Sequence, residues 1–98
     1  MRNIQGKIFK LLKALEIKGY KYLMNREQIY SNKIGRILNI NKLFYLMPIE
    51  EYNKLNPDNK KNPDKYKFVK VEVLSTFKKP EILLKLVEIY KKVGEMNG

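Results

Sequence analysis

The chain has no cysteine, no histidine and no tryptophan, and a single alanine, Ala14. Without cysteine there is no disulfide, no zinc–thiolate site and no thiol nucleophile. Without histidine the commonest general base and the commonest metal ligand are gone as well. Aliphatic hydroxyls are confined to Ser31, Ser75 and Thr76, and none has an imidazole to activate it. No apolar run approaches the ~18 residues that a membrane span requires. At the N-terminus Lys7, Lys10 and Lys13 interrupt the apolar residues, a pattern foreign to a secretory leader. Together these gaps predict a cytoplasmic protein that is not an enzyme, holds no cofactor or metal, and does not associate with membranes.

Carboxylates are scarce too. Asp58 near Lys60, and Asp64 with Glu72, superficially match the acidic-plus-lysine sets that hold magnesium beside a phosphodiester. Such chemistry needs carboxylates converging from a rigid strand. Asp58 and Asp64 instead close two Asn-Pro-Asp triplets, Asn56-Pro57-Asp58 and Asn62-Pro63-Asp64, whose dihedrals and side-chain oxygens make turns. There is no glycine-rich loop to cradle a nucleotide phosphate.

What is abundant is lysine. Eighteen lysines and three arginines against ten acidic residues give 98 residues a net charge of +11. A field of that sign attracts phosphate polymers or acidic proteins. The same lysine excess, with plentiful isoleucine, asparagine and tyrosine, is also what an AT-rich genome writes into its proteins, as in a low-GC bacterium, its phage or mobile elements, or an archaeon. Arginine, the usual choice for gripping phosphate with two parallel bonds, is sparse. The charge is unevenly spread. Residues 1–18 and 19–47 each carry five basic side chains and one acidic, residues 48–65 balance at four and four, and residues 66–98 have seven against four.

The length and 44% apolar content suit one domain, residues 1–98, with a modest core. Ile4, Ile8, Leu11, Leu12 and Leu15 recur at helical spacing, predicting an amphipathic helix over residues 4–18 that stops at Gly19. Residues 20–47 read as a β-hairpin turning around Asn32-Lys33-Ile34-Gly35, since tyrosines and β-branched residues favour strands. They also admit a helix-turn-helix of the winged-helix kind, Asn25–Tyr30 followed by Ser31–Ile40, with Lys33, Arg36, Asn39 and Asn41 facing a major groove. Pro48 opens a short helix carrying Glu50 and Glu51 in its first turn. Val69, Val71 and Val73 alternate with polar neighbours and predict a strand over 66–74. A final helix starts at Pro80, buries Ile82, Leu86, Ile89 and Val93, turns Leu84 outward, pairs Glu81 with Lys85 and Glu88 with Lys92, and ends at Gly94. The expected fold is α+β: a small three-stranded antiparallel sheet packed against two amphipathic helices.

Aromatics interleave with lysine at Tyr20-Lys21-Tyr22, Lys42-Leu43-Phe44-Tyr45 and Lys65-Tyr66-Lys67-Phe68, as in proteins that stack bases while holding phosphates. The functional expectation is a small basic protein that binds nucleic acid, DNA or RNA, with low sequence specificity. Lys10, Lys13, Lys21, Arg26, Lys33, Arg36 and Lys42 would neutralise phosphates, and Tyr20, Tyr22 and Tyr45 would stack on bases. The alternative is a small regulatory or inhibitory protein docking on an acidic protein partner, alone or as a homodimer. Contiguous exposed apolar surface near Leu84 or the hairpin edge would favour it.

Overall fold

A computed structural model of the chain describes residues 3–97. The apolar stripe of the first segment forms helix α1, Ile4–Ile17, with Ile8 and Leu15 wholly buried. Its end follows from Gly19, whose φ of +97° is a left-handed conformation that side chains resist. That turn lets Gly19 N–H reach the Glu16 carbonyl and Tyr20 N–H reach the Leu15 carbonyl, both at 2.9 Å. The last carbonyls of α1 are satisfied in this way, and the chain is reversed into the sheet with Tyr20 packed against the core.

Residues 20–47 are a hairpin, so the helix-turn-helix alternative does not hold. Strand β1, Tyr22–Ser31, pairs antiparallel with β2, Arg36–Pro48, from Tyr22 opposite Tyr45 to Ser31 opposite Arg36. Gly35 explains why no helix forms. Its φ of +67°, with Gly35 N–H bonded to the Ser31 carbonyl at 2.8 Å, makes it the close of a tight turn. Asn41, which a recognition helix would have turned to DNA, is buried, and its Nδ2 donates to the Thr76 carbonyl at 3.2 Å.

Pro48 leads into the short helix α2, Ile49–Leu55, as its proline and glutamates predict. The Asn-Pro-Asp loop follows, beginning with one 3-10 turn at Pro57–Asn59. It is tied down by the side chain of Asn53, which accepts from Lys61 N–H at 2.8 Å and donates to the Lys61 carbonyl at 3.0 Å. Asn62 Oδ1 accepts from Asp64 N–H, the expected side-chain cap of a turn. Strand β3, Phe68–Thr76, then pairs antiparallel with β2, giving the order β1-β2-β3.

Helix α3, Lys79–Asn97, runs three residues past Gly94, so that glycine is not its cap. Gly94 costs the helix only its propensity, and Val93 beside it is held in the core. Leu84 points outward, 68% exposed. Glu88 pairs with Lys92 at 3.6 Å as expected, but Lys85 turns to Glu88 at 3.5 Å. Glu81 is engaged elsewhere, accepting from the Thr76 hydroxyl at the start of α3.

Both long helices lie on one side of the sheet. Ile8 and Leu15 of α1, Leu43 of β2, and Ile82, Leu86 and Val93 of α3 form a single cluster. The domain is two layers deep, and its least extent is 18 Å against 42 Å along the longest axis. Alternation along the paired residues of the three-stranded part therefore assigns each to a helix-covered face or to an open one.

Candidate nucleic-acid interface

The open face is built from the register. Lys21, Leu23, Asn25 and Glu27 lie on its β1 side, Leu46, Phe44, Lys42 and Ile40 on β2, and Phe68, Lys70, Glu72 and Ser75 on β3. Two phenylalanine rings stand on it, Phe44 half-buried in the central strand and Phe68 40% exposed at the start of β3. Each carries a lysine: the Lys70 ammonium is 4.8 Å from the Phe44 centroid, and the Lys21 ammonium is 4.8 Å from that of Phe68. Beside them the Asn53 clamp sets Lys61 between two further rings, 5.9 Å from Tyr52 and 5.6 Å from Tyr66. Lys61, Tyr66, Phe68, Val69 and Lys70 line one open cleft of about 250 Å³.

The residues singled out from sequence distribute over three places. Lys21 belongs to this open face. Arg26, Lys33 and Arg36 lie on the far part of the hairpin, all exposed. Lys10 and Lys13 are on α1, in the layer on the other side of the sheet, where Lys13 sits 5.9 Å from the Phe9 ring. The structure thus gathers no single surface from the seven basic residues.

Lys42 is on the open face, but its charge is already spent. Its ammonium lies 3.0 Å from Glu27 and 3.8 Å from Glu72, one carboxylate from each neighbouring strand. The hydrogen bond to Glu27, then that residue's charge, holds the ammonium above the usual lysine range. A lysine bridging two carboxylates has no net positive charge to offer a phosphate. Glu72 is correspondingly engaged, and among the described residues no three of the ligand-bearing side chains gather where a metal could sit.

Tyr20, Tyr22 and Tyr45 are brought together, but on the helix-covered face. Tyr22 and Tyr45 rings lie 5.0 Å apart and tilted by 38°, and Tyr20 and Tyr22 pack on the core cluster. With Glu51, Ile89, Lys92 and Val93 they line a cleft between sheet and helices. The three tyrosines are half-buried beside the helices, whereas Phe44 and Phe68 stand on the face no helix covers. Those two rings were legible in the lysine–aromatic runs of the sequence, and the alternation of faces was the signal that separates them from the tyrosines.

Burial raises the hydroxyl pKa values of Tyr22 and Tyr45 above the ordinary tyrosine value, with nearby Glu51 adding to both. The Tyr45 hydroxyl donates to Glu51 Oε2 at 3.5 Å. The folded state therefore keeps these protons at pH values where the unfolded chain loses them. Their contribution to stability is intact below the unfolded tyrosine value and is lost as pH rises through the folded values. Urea midpoints followed from roughly pH 9 to 11 should fall more steeply in the wild type than in a Tyr22→Phe, Tyr45→Phe variant.

Compared with protein-family models, with curated proteins and with solved structures, the chain matches none. Its function has to be argued from its own chemistry.

Proposed function

We propose that the chain is a small non-enzymatic nucleic-acid-binding protein that lays single-stranded nucleic acid across the open face of its sheet. The observation that carries this is the pair of phenylalanine rings on the uncovered face, each with a lysine ammonium 4.8 Å from its centroid. An exposed cation–π contact is worth ~0.5–1 kcal/mol. A base stacked on an aromatic side chain is worth ~1–3 kcal/mol, so a base displaces the lysine from the ring. The displaced ammonium stays within a side chain's length of the base, where the adjoining phosphate lies. Stacking and charge neutralisation are then met by the same residue pair. Because every base has a π-face, recognition has little sequence preference.

An acidic protein partner would be attracted by the same lysines. It gives no reason for the lysines to be paired with rings on the one face no helix covers, which is why the nucleic-acid reading is preferred.

The test is fluorescence anisotropy with a short labelled single-stranded oligonucleotide across a salt series. Three ammoniums border the rings without a carboxylate partner among the described residues, those of Lys21, Lys61 and Lys70. At about 0.7 counterions released per phosphate neutralised on a single strand, the log–log slope should be close to −2. Absence of binding at physiological salt would end this reading and turn attention to the acidic-protein alternative.

A further inference from the structure

The hairpin is longer than the sheet it belongs to. Pairing of β2 with β3 ends at Asn41 opposite Thr76, whereas β1 and β2 stay paired for five more residue pairs toward the turn, to Ser31 opposite Arg36. From Glu27 to Ile40 the chain is therefore a two-stranded arm with no third strand beside it. Five residues per strand at ~3.4 Å each make it about 17 Å long before its turn.

An arm bathed in water on both faces has no use for apolar side chains, yet this one carries them. Tyr30 is 63% exposed, Ile37 60%, and Ile34, within the turn, 54%. Interspersed are Lys33 and Arg36, with Arg26 just below the arm opposite Asn41, none within ion-pairing distance of a carboxylate among the described residues. The arm's one carboxylate, Glu27, is committed to Lys42 at 3.0 Å. Apolar contacts flanked by uncompensated cations need an occupant that is anionic along its margins and offers apolar groups between them. A second copy of this chain fails that requirement, because at +11 it would bring like charge to a positive arm.

We infer that the arm is a duplex-reading element that enters the major groove of B-form DNA. The inference rests on the chain being a nucleic-acid binder but uses a surface separate from the open sheet face. The dimensions agree: paired strands are about 4.8 Å apart, and the B-DNA major groove, about 12 Å wide and 8.5 Å deep, admits a two-stranded ribbon with its side chains. Lys33 in the turn, and Arg36 on the face opposite Tyr30 and Ile37, are placed toward the phosphates at the groove's rim. Tyr30, Ile34 and Ile37 meet its floor, where thymine methyl groups are the apolar partners. A-form RNA has a deep, narrow major groove that does not admit such an arm. The arm thus makes the duplex partner DNA and not RNA, a choice the lysine content alone could not make.

The experiment compares a labelled DNA duplex of about two helical turns with an RNA duplex of the same sequence, using the whole chain and a Lys33→Gln, Arg36→Gln variant. Both positions are exposed, and circular dichroism verifies that the variant is folded. Two lost phosphate contacts lower the salt slope by about 1.8 and the DNA-duplex affinity by roughly sixtyfold at 0.1 M salt. Ile34→Ser should weaken the same complex with the slope unchanged. Methylation of guanine N7, which crowds the major groove, should weaken wild-type binding. Single-strand affinity of the arm variant should not move, which separates the two surfaces. If the wild type binds single strands but the arm variant keeps full affinity for duplex DNA, the arm inference is wrong and the proposed function stands. Equal affinity for the two duplexes, or insensitivity to N7 methylation, also overturns it, as does arm-dependent binding to anionic vesicles without arm-dependent binding to DNA. Loss of single-strand binding alone would remove the sheet-face reading and leave the arm.

Discussion

Truncating Phe68 to alanine and replacing Phe44 by leucine, in one variant, should lower affinity for single-stranded nucleic acid at least thirtyfold. Each ring is expected to supply ~1–3 kcal/mol through a stacked base. Phe68 is opposite Pro48, and Phe44 lies four residues back along β2. That separation, about 13 Å of strand, is beyond the range at which neighbouring substitutions usually couple, so the two losses should add. Their sum is roughly 2–6 kcal/mol, and the low end corresponds to about thirtyfold in Kd. Leucine at 44 keeps apolar bulk beneath the Lys70 stem and removes only the π-face. The decisive readout is the salt slope. Lys21, Lys61 and Lys70 are still present, so affinity should drop while the slope holds. A variant with wild-type affinity would mean that the rings are merely part of the sheet surface. A variant that loses slope together with affinity would mean that the lysines depend on the rings for their position.

The second large effect concerns the core. Leu43 is wholly buried in the central strand and shares one core cluster with Ile8 and Leu15 of α1 and Ile82 and Leu86 of α3. Leu43→Ala should cost ~2–5 kcal/mol, the transfer of its lost methyl groups plus the cavity they leave. A domain of this size has ~5–15 kcal/mol in all, so the loss is a large fraction of its stability. In urea, with a slope of ~1–3 kcal/mol per molar, the midpoint should fall by about 0.7 M or more. Leu43→Met, which conserves volume, should lose less than ~1.5 kcal/mol and keeps the test readable if the alanine variant does not fold. Leu84→Ala is the comparison at the outer face of α3, expected within ~0.5 kcal/mol of wild type. Equal losses at positions 43 and 84 would contradict the two-layer assignment of buried and exposed faces.

Most of the element order was legible because local rules and the global fold agree. The α1 stripe, the Gly19 stop, the turn at Asn32–Gly35 and the valine alternation of β3 each depend on a few neighbouring residues. The surface was harder to read, for a reason visible at Tyr20-Lys21-Tyr22. In a strand of period two, a lysine flanked by two tyrosines cannot share a face with either. Lys21 therefore lies on the open face and the two tyrosines on the helix-covered one. Lys42 and Phe44 do share a face. That Lys42 is neutralised by Glu27 and Glu72 depends on cross-strand register, which no local pattern encodes. The end of α3 differs from the local pattern for a related reason. Glycine weakens a helix everywhere, but it stops one only where the chain needs a left-handed turn, and at Gly94 it does not.

The register between β2 and β3 slips by one residue: Leu43 faces Leu74 and Phe44 faces Glu72, leaving Val73 as the surplus. That residue works as a phase inverter. Before it, the odd-numbered positions Val69 and Val71 turn toward the helices, and after it the even-numbered positions Leu74 and Thr76 do. Thr76 can therefore accept from Lys78 N–H at 3.1 Å and bond Glu81, which fixes where α3 begins. Were Val73 instead accommodated in a regular ladder, the two ends of the strand would be out of step. Phe68 and Lys70 would hold the open face while Thr76 swung away from the helix it launches. Setting one peptide unit aside in a bulge keeps the start of the strand in phase with the outer surface and its finish in phase with the interior.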